Sequence, residues 1–368
     1  MKIPFFDTKR QYAGLQAEMQ QSLEAIADEG MWIGGAAVGE FERAWAETVG
    51  ARCVVAVGNG TDALFIGLCA LGIGAGDEVI VPAVSWVSTA SVVLQSGAVP
   101  VFVDVGADGL LDVELLLGKI TARTKAILPV HLYGQMADMS AIRTLCKDRN
   151  IALLEDAAQA HLARRGGMGV GEGADLAAYS FYPTKNLGAW GDAGAIVCHD
   201  QDLADSCRAI ANQGGRGVHD VLGVTSRMDT LQAAILLVKL QRLSQWTERR
   251  RAIAQRYVYH LKEVEGLQLP VVHEEAYHVY HHFVIRTSSR HVLRTYLQKH
   301  GIGTEVHYPE ALPQLRVFNH LGQRVEEFAM ADLFCQEAIS LPVYPELRDE
   351  EVDYICRIIK TFYAKAEK

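Results

Sequence analysis

Arg52-Cys-Val-Val-Ala-Val-Gly-Asn-Gly-Thr-Asp-Ala-Leu-Phe-Ile-Gly-Leu-Cys-Ala-Leu71 is the stretch from which the fold can be read. Arg52–Val57 is short, β-branched and apolar, which reads as a buried strand, and Thr61–Leu71 reads as the helix that follows a glycine-rich turn. The same alternation continues to about residue 200. Glu78–Val81, Val99–Val105, Lys125–His131, Ile151–Glu155, Leu176–Phe181 and Ala195–Cys198 read as further strands. Trp86–Gln95, Met139–Lys147 and Leu203–Asn212 read as helices between them. Strands and helices in turn predict an α/β fold, with a mostly parallel central sheet covered by helices on both faces.

The texture changes after about residue 226. Leu231–Leu261 reads as one long helical stretch, and its arginines (Arg242, Arg249, Arg250, Arg251, Arg256) read as a solvated face. Beyond it, strands are expected near Phe283–Arg286 and Glu305–His307, with a closing helix at Glu350–Ala364. The first thirty residues read as a helical arm. The expected organisation is a large α/β domain over residues 1–240, arm included, and a smaller C-terminal α+β domain over 241–368.

Composition narrows the function. The 368 residues are 49 % hydrophobic and 21 % charged, the balance of an ordinary globular chain. A net charge of −9 and the lack of a basic stretch weigh against nucleic acid as a partner. The longest apolar stretch, Ala83–Val103, is broken by Ser85, Ser88, Thr89, Ser91, Gln95, Ser96, Gly97 and Pro100, which argues against a membrane span. Ile3-Pro-Phe-Phe6 is too short for a signal-peptide core. Seven scattered cysteines without a C-x-x-C pair fit free thiols in a reducing cytoplasm.

Several glycine and histidine patterns fail as motifs. Gly72-Ile-Gly-Ala-Gly76 follows a helix and precedes a strand, the reverse of a dinucleotide fingerprint, and reads as a helix cap and turn. Gly169–Ala174 has a loose fingerprint spacing but leads into a strand instead of a helix. His278, His281 and His282 have no carboxylate or cysteine at ligand spacing, and on a strand His281 and His282 would face opposite ways. No metal site is expected.

Three segments sit better, each at the carboxyl end of a predicted strand, where open α/β sheets bind ligands. Gly58-Asn-Gly-Thr61 opens a helix and serves either as an anion site or as a plain N-cap. Glu155-Asp156 ends an apolar strand, where it holds a cation or caps a loop. Lys185 follows the aromatic strand Ala177–Phe181, either as a snorkelling surface side chain or as a desolvated amine able to attack carbonyls. A phosphate cradle, a carboxylate and a desolvated lysine on neighbouring strand ends are together what pyridoxal phosphate requires.

At this point the chain resembles the DegT/DnrJ/EryC1/StrS sugar aminotransferases, within the fold-type-I pyridoxal-phosphate enzymes. The resemblance rests on Ile3–Asp7, Gly58–Ala63, Gly76–Pro82, Pro129–Gln135, Glu155–Ala160, Ser180–Gly188, Ser226–Ala234 and His307–Pro309. It implies Lys185 as the Schiff-base lysine and proton shuttle, with Asp156 as partner of the pyridine nitrogen. It further implies that Gln159 meets the cofactor's phenolic oxygen, that Trp86 stacks on its ring, and that Gly60, Thr61 and Ser180 hold its phosphate. His307 and Tyr308, with Arg227 from a partner chain, would line the sugar side. Thr225 stands where the family commonly has Asn reaching the neighbouring subunit's phosphate, and Gln213 where His is frequent, near the expected substrate region.

The resemblance implies a cytoplasmic homodimer with shared active sites that moves an amino group from L-glutamate to a nucleotide-linked keto-sugar. The amino-terminal segment resembles members acting at C3. Amination at C4 of a 4-keto-6-deoxy sugar, a keto-cyclitol substrate, and a non-catalytic cofactor-binding regulator are the alternatives.

Overall fold

The computed structural model describes residues 1–366 apart from 216 and 218. Twelve strands are formed among the described residues: β1 (Cys53–Val57), β2 (Glu78–Pro82), β3 (Val99–Val103), β4 (Thr124–Ile127), β5 (Ala152–Asp156), β6 (Arg164–Arg165), β7 (Met168–Gly169), β8 (Leu176–Ser180), β9 (Gly194–Cys198), β10 (Ala276–Tyr277), β11 (Phe283–Arg286) and β12 (Ala338–Leu341). Seven of them build the main sheet in the order β1-β9-β8-β5-β4-β2-β3. Only β9 runs against the rest, pairing antiparallel with β1 and β8. The expected mostly parallel α/β sheet is what forms.

Alternation along each strand feeds two cores. Val55, Val57, Leu154 and Ile196 face one side, and Val54, Ala56, Leu153 and Val197 face the other. Both layers exclude water, so the sheet is a rigid platform. A third core joins Ile3 to the helix Leu243–Leu261, β11, β12 and the closing helix Asp349–Ala366. Leu312, Phe318, Phe328 and Phe334 instead pack into the first core of the main sheet.

Four expectations change. The helical stretch 231–261 is two helices, Thr230–Leu240 and Leu243–Leu261. The first helix is buried nearly all round, the second along one stripe. The arginines are not a solvated face. Arg250 is buried and donates to the carbonyls of Val343 (2.6 Å) and Tyr280 (3.2 Å), while Arg256 pairs with Asp353 at 2.6 Å. Glu305–His307 forms no strand, only a bridge between Glu305 and Ser340. The strand expected at Lys125–His131 ends at Ile127, before Pro129, which has no N–H for a ladder.

Among the described residues no helix is long and apolar enough to cross a membrane. All seven cysteines are unpaired.

Candidate active site

Six parallel strands deliver their carboxyl ends to one edge of the sheet, and the antiparallel β9 begins there. Asn59 caps the helix Gly60–Ala70 by accepting from the Asp62 amide at 2.8 Å. That leaves the Gly60 and Thr61 amides at the open end of the helix, where the helix dipole favours an anion. Glycine is required here by crowding: a Cβ on Gly60 would lie 2.6 Å from Ser180 Cβ, and one on Gly194 would lie 2.4 Å from the Asn59 carbonyl. The end of β1, the start of β9 and the end of β8 therefore touch. Ser226 closes the loop from behind, accepting from the Gly58 amide at 3.0 Å and donating to Asp62 at 2.6 Å. The Thr61 hydroxyl meets that of Ser88 at 2.8 Å.

Asp156, the last residue of β5, is buried. Thr89 donates to its Oδ2 at 2.8 Å and the Ala158 amide to its Oδ1 at 3.1 Å; Ser85 meets Thr89 at 2.7 Å. Burial pushes the Asp156 carboxyl up, while those two hydrogen bonds and the charge of Lys185 pull it down. Its neighbour Glu155 points to the opposite face of the sheet. There it accepts from the Gly171 amide at 2.8 Å and meets His131 Nε2 at 2.9 Å. The acidic pair thus divides: one carboxylate is structural, the other faces the site.

Lys185 sits in the turn after β8, its amide bonded to the Tyr182 carbonyl at 2.8 Å. Burial lowers its ammonium to about 8, and the nearby Asp156 works against that. Gln159 is oriented by its surroundings. Its Oε1 accepts from the Tyr133 amide at 2.7 Å, so its Nε2 faces the site and donates to the Tyr308 hydroxyl at 2.9 Å. Burial raises that hydroxyl well above the usual phenol value. Trp86 is 58 % exposed, its ring 5.9 Å from Tyr308 and inclined by 46°.

His307 bonds to Ser340 at 2.8 Å and stacks on His282 at 3.9 Å; burial lowers it to about 4. His281 and His282 lie on one side of the chain, ring centroids 4.0 Å apart, ahead of β11 and not on a strand, so the expectation that they face opposite ways is corrected. Among the described residues no group of His, Cys, Asp and Glu could hold a metal ion.

Lys185, Asp156, Gln159, Ser180, Gly60 and Thr61 therefore meet at one edge, with Trp86, His307 and Tyr308 beside them. Gln213, Thr225 and Arg227 form a separate exposed group: Gln213 donates to the Thr225 hydroxyl, and Arg227 to Asn212 at 3.3 Å. Sequence reasoning missed Ser85, Thr89, Tyr133 and Ser226. The hydroxyls had a signal, since Ser85 and Thr89 interrupt an apolar stretch at helical spacing.

The donors present fit pyridoxal phosphate. A helix N-terminus that a side chain at position 60 would block suits a phosphate, Asp156 suits a protonated pyridine nitrogen, and a desolvated amine suits a carbonyl.

Comparison with known proteins agrees. The sequence profile described as the DegT/DnrJ/EryC1/StrS aminotransferase family matches residues 14–360. A Geobacillus stearothermophilus protein named "pleiotropic regulatory protein" is 42 % identical, with 99 % of each chain covered. The dTDP-3-amino-3,4,6-trideoxy-alpha-D-glucose transaminase of Streptomyces venezuelae is 40 % identical over 94 % of this chain and 92 % of its own. The crystal structure of S. venezuelae DesV in complex with a ketimine intermediate superposes with a TM-score of 0.97, at 38 % identity and 98 % coverage of both chains. With the profile spanning nearly the whole sequence and relatives this similar end to end, the chain belongs to the DegT/DnrJ/EryC1/StrS aminotransferase family.

Proposed function

We propose that this aminotransferase moves an amino group from L-glutamate to the keto carbon of a nucleotide-linked sugar, with the keto group at C3. The observation that supports it most is the convergence of a buried carboxylate, Asp156, a desolvated lysine, Lys185, and the free amides of Gly60 and Thr61 on one sheet edge. The position C3 is supported by the name of the 40 % identical transaminase, whose amino group is at that carbon.

Pyridoxal phosphate, when bound, supplies an electron sink for the carbon next to the transferred nitrogen. The protein's part is to bind, orient and move protons. Gly60, Thr61 and Ser180 anchor the phosphate. Asp156, held by Thr89 and Ala158, keeps a proton on the pyridine nitrogen. Gln159 presents Nε2 to the phenolic oxygen and Trp86 covers the ring. Lys185 would hold the cofactor, and burial, by lowering its amine to about 8, leaves a neutral fraction near neutral pH that an ordinary lysine lacks. That amine would move a proton between the donor's α-carbon and the cofactor's C4′ carbon. His307 and Tyr308 line the substrate side.

A homodimer completes the site in this reading. Met31 (48 %), Trp32 (57 %), Ile33 (40 %) and Trp190 (39 %) are exposed. They form a connected patch: Thr230 N bonds Trp32 O, and Trp190 N bonds Gln232 on the same helix. Such a surface favours a partner, and Arg227, Thr225 and Gln213 beside it would reach the partner's site. Seven free thiols suit a cytoplasmic setting.

The test is product formation. Purified protein with pyridoxal phosphate and L-glutamate should yield an amino sugar from a 3-keto nucleotide sugar, read by mass spectrometry. Lys185→Ala should abolish it. Product from a 4-keto sugar or a keto-cyclitol alone would overturn the proposed substrate. A second reading, a cofactor-binding regulator without turnover, is favoured by the name of the 42 % identical relative. It predicts a cofactor chromophore that L-glutamate fails to bleach.

A further inference from the structure

The helix Thr230–Leu240 touches both halves of the cofactor site from behind. In the segment that leads into it, four residues ahead of Thr230, Ser226 holds the Gly58 amide of the phosphate loop at 3.0 Å. In its first turn, Gln232 accepts from the Trp190 amide at 2.8 Å. In its last turn, Lys239 donates from Nζ to the Gly188 carbonyl at 2.6 Å. Gly188 closes the turn that carries Lys185. It can be only glycine there, because a Cβ would sit 2.4 Å from the Pro183 carbonyl oxygen.

Lys239 is an unexpected residue for this position. It is 3 % exposed, lies among apolar helix residues, and makes no ion pair within 4.0 Å among the described residues. The opposing charge of Glu346 acts on it, but burial outweighs this and lowers the lysine to about 8. Burying an ammonium for one neutral acceptor costs more than packing a methionine of similar length. The hydrogen bond to Gly188 is what the lysine adds. The turn is held between Lys185 and Gly188 as well: Asn186 donates to the Val279 carbonyl at 3.1 Å and meets His281 Nδ1 at 3.2 Å.

We infer that Lys239 is a positioning residue for Lys185, pinning the 183–188 turn through the Gly188 carbonyl so that one helix sets the span between phosphate anchor and reactive amine. The inference rests on the reading of Lys185 as the cofactor-bearing lysine. A rigid span matters because displacement of a reacting group by about 1 Å costs on the order of a hundredfold in rate.

The experiment compares the parent with Lys239→Met and Lys239→Arg, each loaded with pyridoxal phosphate. Three readouts are taken: the pH midpoint of the cofactor–lysine absorbance, kcat against KM, and the rate at which an acylating reagent labels Lys185 in cofactor-free protein. Lys239→Met should shift the midpoint and change Lys185 labelling, and should lower kcat at least tenfold with KM little changed. Lys239→Arg, which keeps a donor, should restore most of each. An unshifted midpoint with parental labelling in Lys239→Met would overturn the inference, whatever happens to stability. Should Lys239→Met not fold, Lys239→Gln, too short to reach Gly188, takes its place with the same outcomes. A parent with no chromophore lost on Lys185→Ala would instead overturn the reading of Lys185 itself.

Discussion

At the scale of single residues, the site works by crowding and desolvation. Gly60 is the sharpest case. Gly60→Ala would drive a methyl into Ser180 Cβ, 2.6 Å away, so one of the two must move and the anion cradle opens. Absorbance titration of cofactor-free protein with pyridoxal phosphate should show at least tenfold weaker retention. Thr89→Val removes the hydroxyl donor to Asp156 at 2.8 Å. A hydrogen bond to a charged group contributes roughly 1.5–3 kcal/mol to stability, so the melting temperature should fall, and the Asp156 carboxyl, pushed further up by the loss of this donor, should hold the pyridine proton less well and lower kcat. The pH behaviour of Lys185 has a definite sign. Its amine loses its proton at about 8 in the folded chain, against the ordinary 10.5. Between those values the unfolded chain holds a proton that the folded one has released, so this group makes cofactor-free protein more stable as pH rises. Peptide-level labelling of Lys185 should accelerate with a midpoint near the lower value.

At the scale of elements, buried cations tie loops to helices. Arg250, on the helix Leu243–Leu261, has its guanidinium lowered to about 10 by burial and satisfies the carbonyls of Tyr280 and Val343. Arg250→Ala would strand those acceptors in a dry environment. Roughly 3 kcal/mol of stability should be lost, measurable as a lower urea midpoint with an unchanged slope. The same side chain also reaches the His281 carbonyl at 3.4 Å, so the loss should extend to the turn that Asn186 anchors on His281.

At the scale of the molecule, the proposed dimer makes an exposed aromatic surface meaningful. Tyr12 meets Trp190 edge to face at 5.5 Å, and Ile33 bridges to Asp229, which joins the arm, the Trp190 loop and the Arg227 segment in one face. Trp32→Glu places a charge at the centre of that face. Sedimentation should then report monomer, and turnover should fall with it if Arg227 acts across the interface. A Trp32→Glu protein that stays dimeric and active would remove this face from the interface.

The α/β class, most strand ends and the places of Asp156 and Lys185 after apolar strands were legible in the sequence, because local alternation and a charge placed after an apolar strand are properties of contiguous residues. What stayed hidden came from residues far apart in the chain. Nothing local separates the buried Arg250 from the half-buried Arg249 and Arg251, and nothing local says that the helix should break after Leu240. Nor does the sequence reveal that Thr89 faces Asp156, or that Lys239 reaches Gly188 across fifty-one positions. Periodicity along the chain decided which elements form and which ends carry chemistry. Only the tertiary structure decided which polar groups lose water together, and that shared desolvation sets both the pKa values and the hydrogen-bond partners of the site.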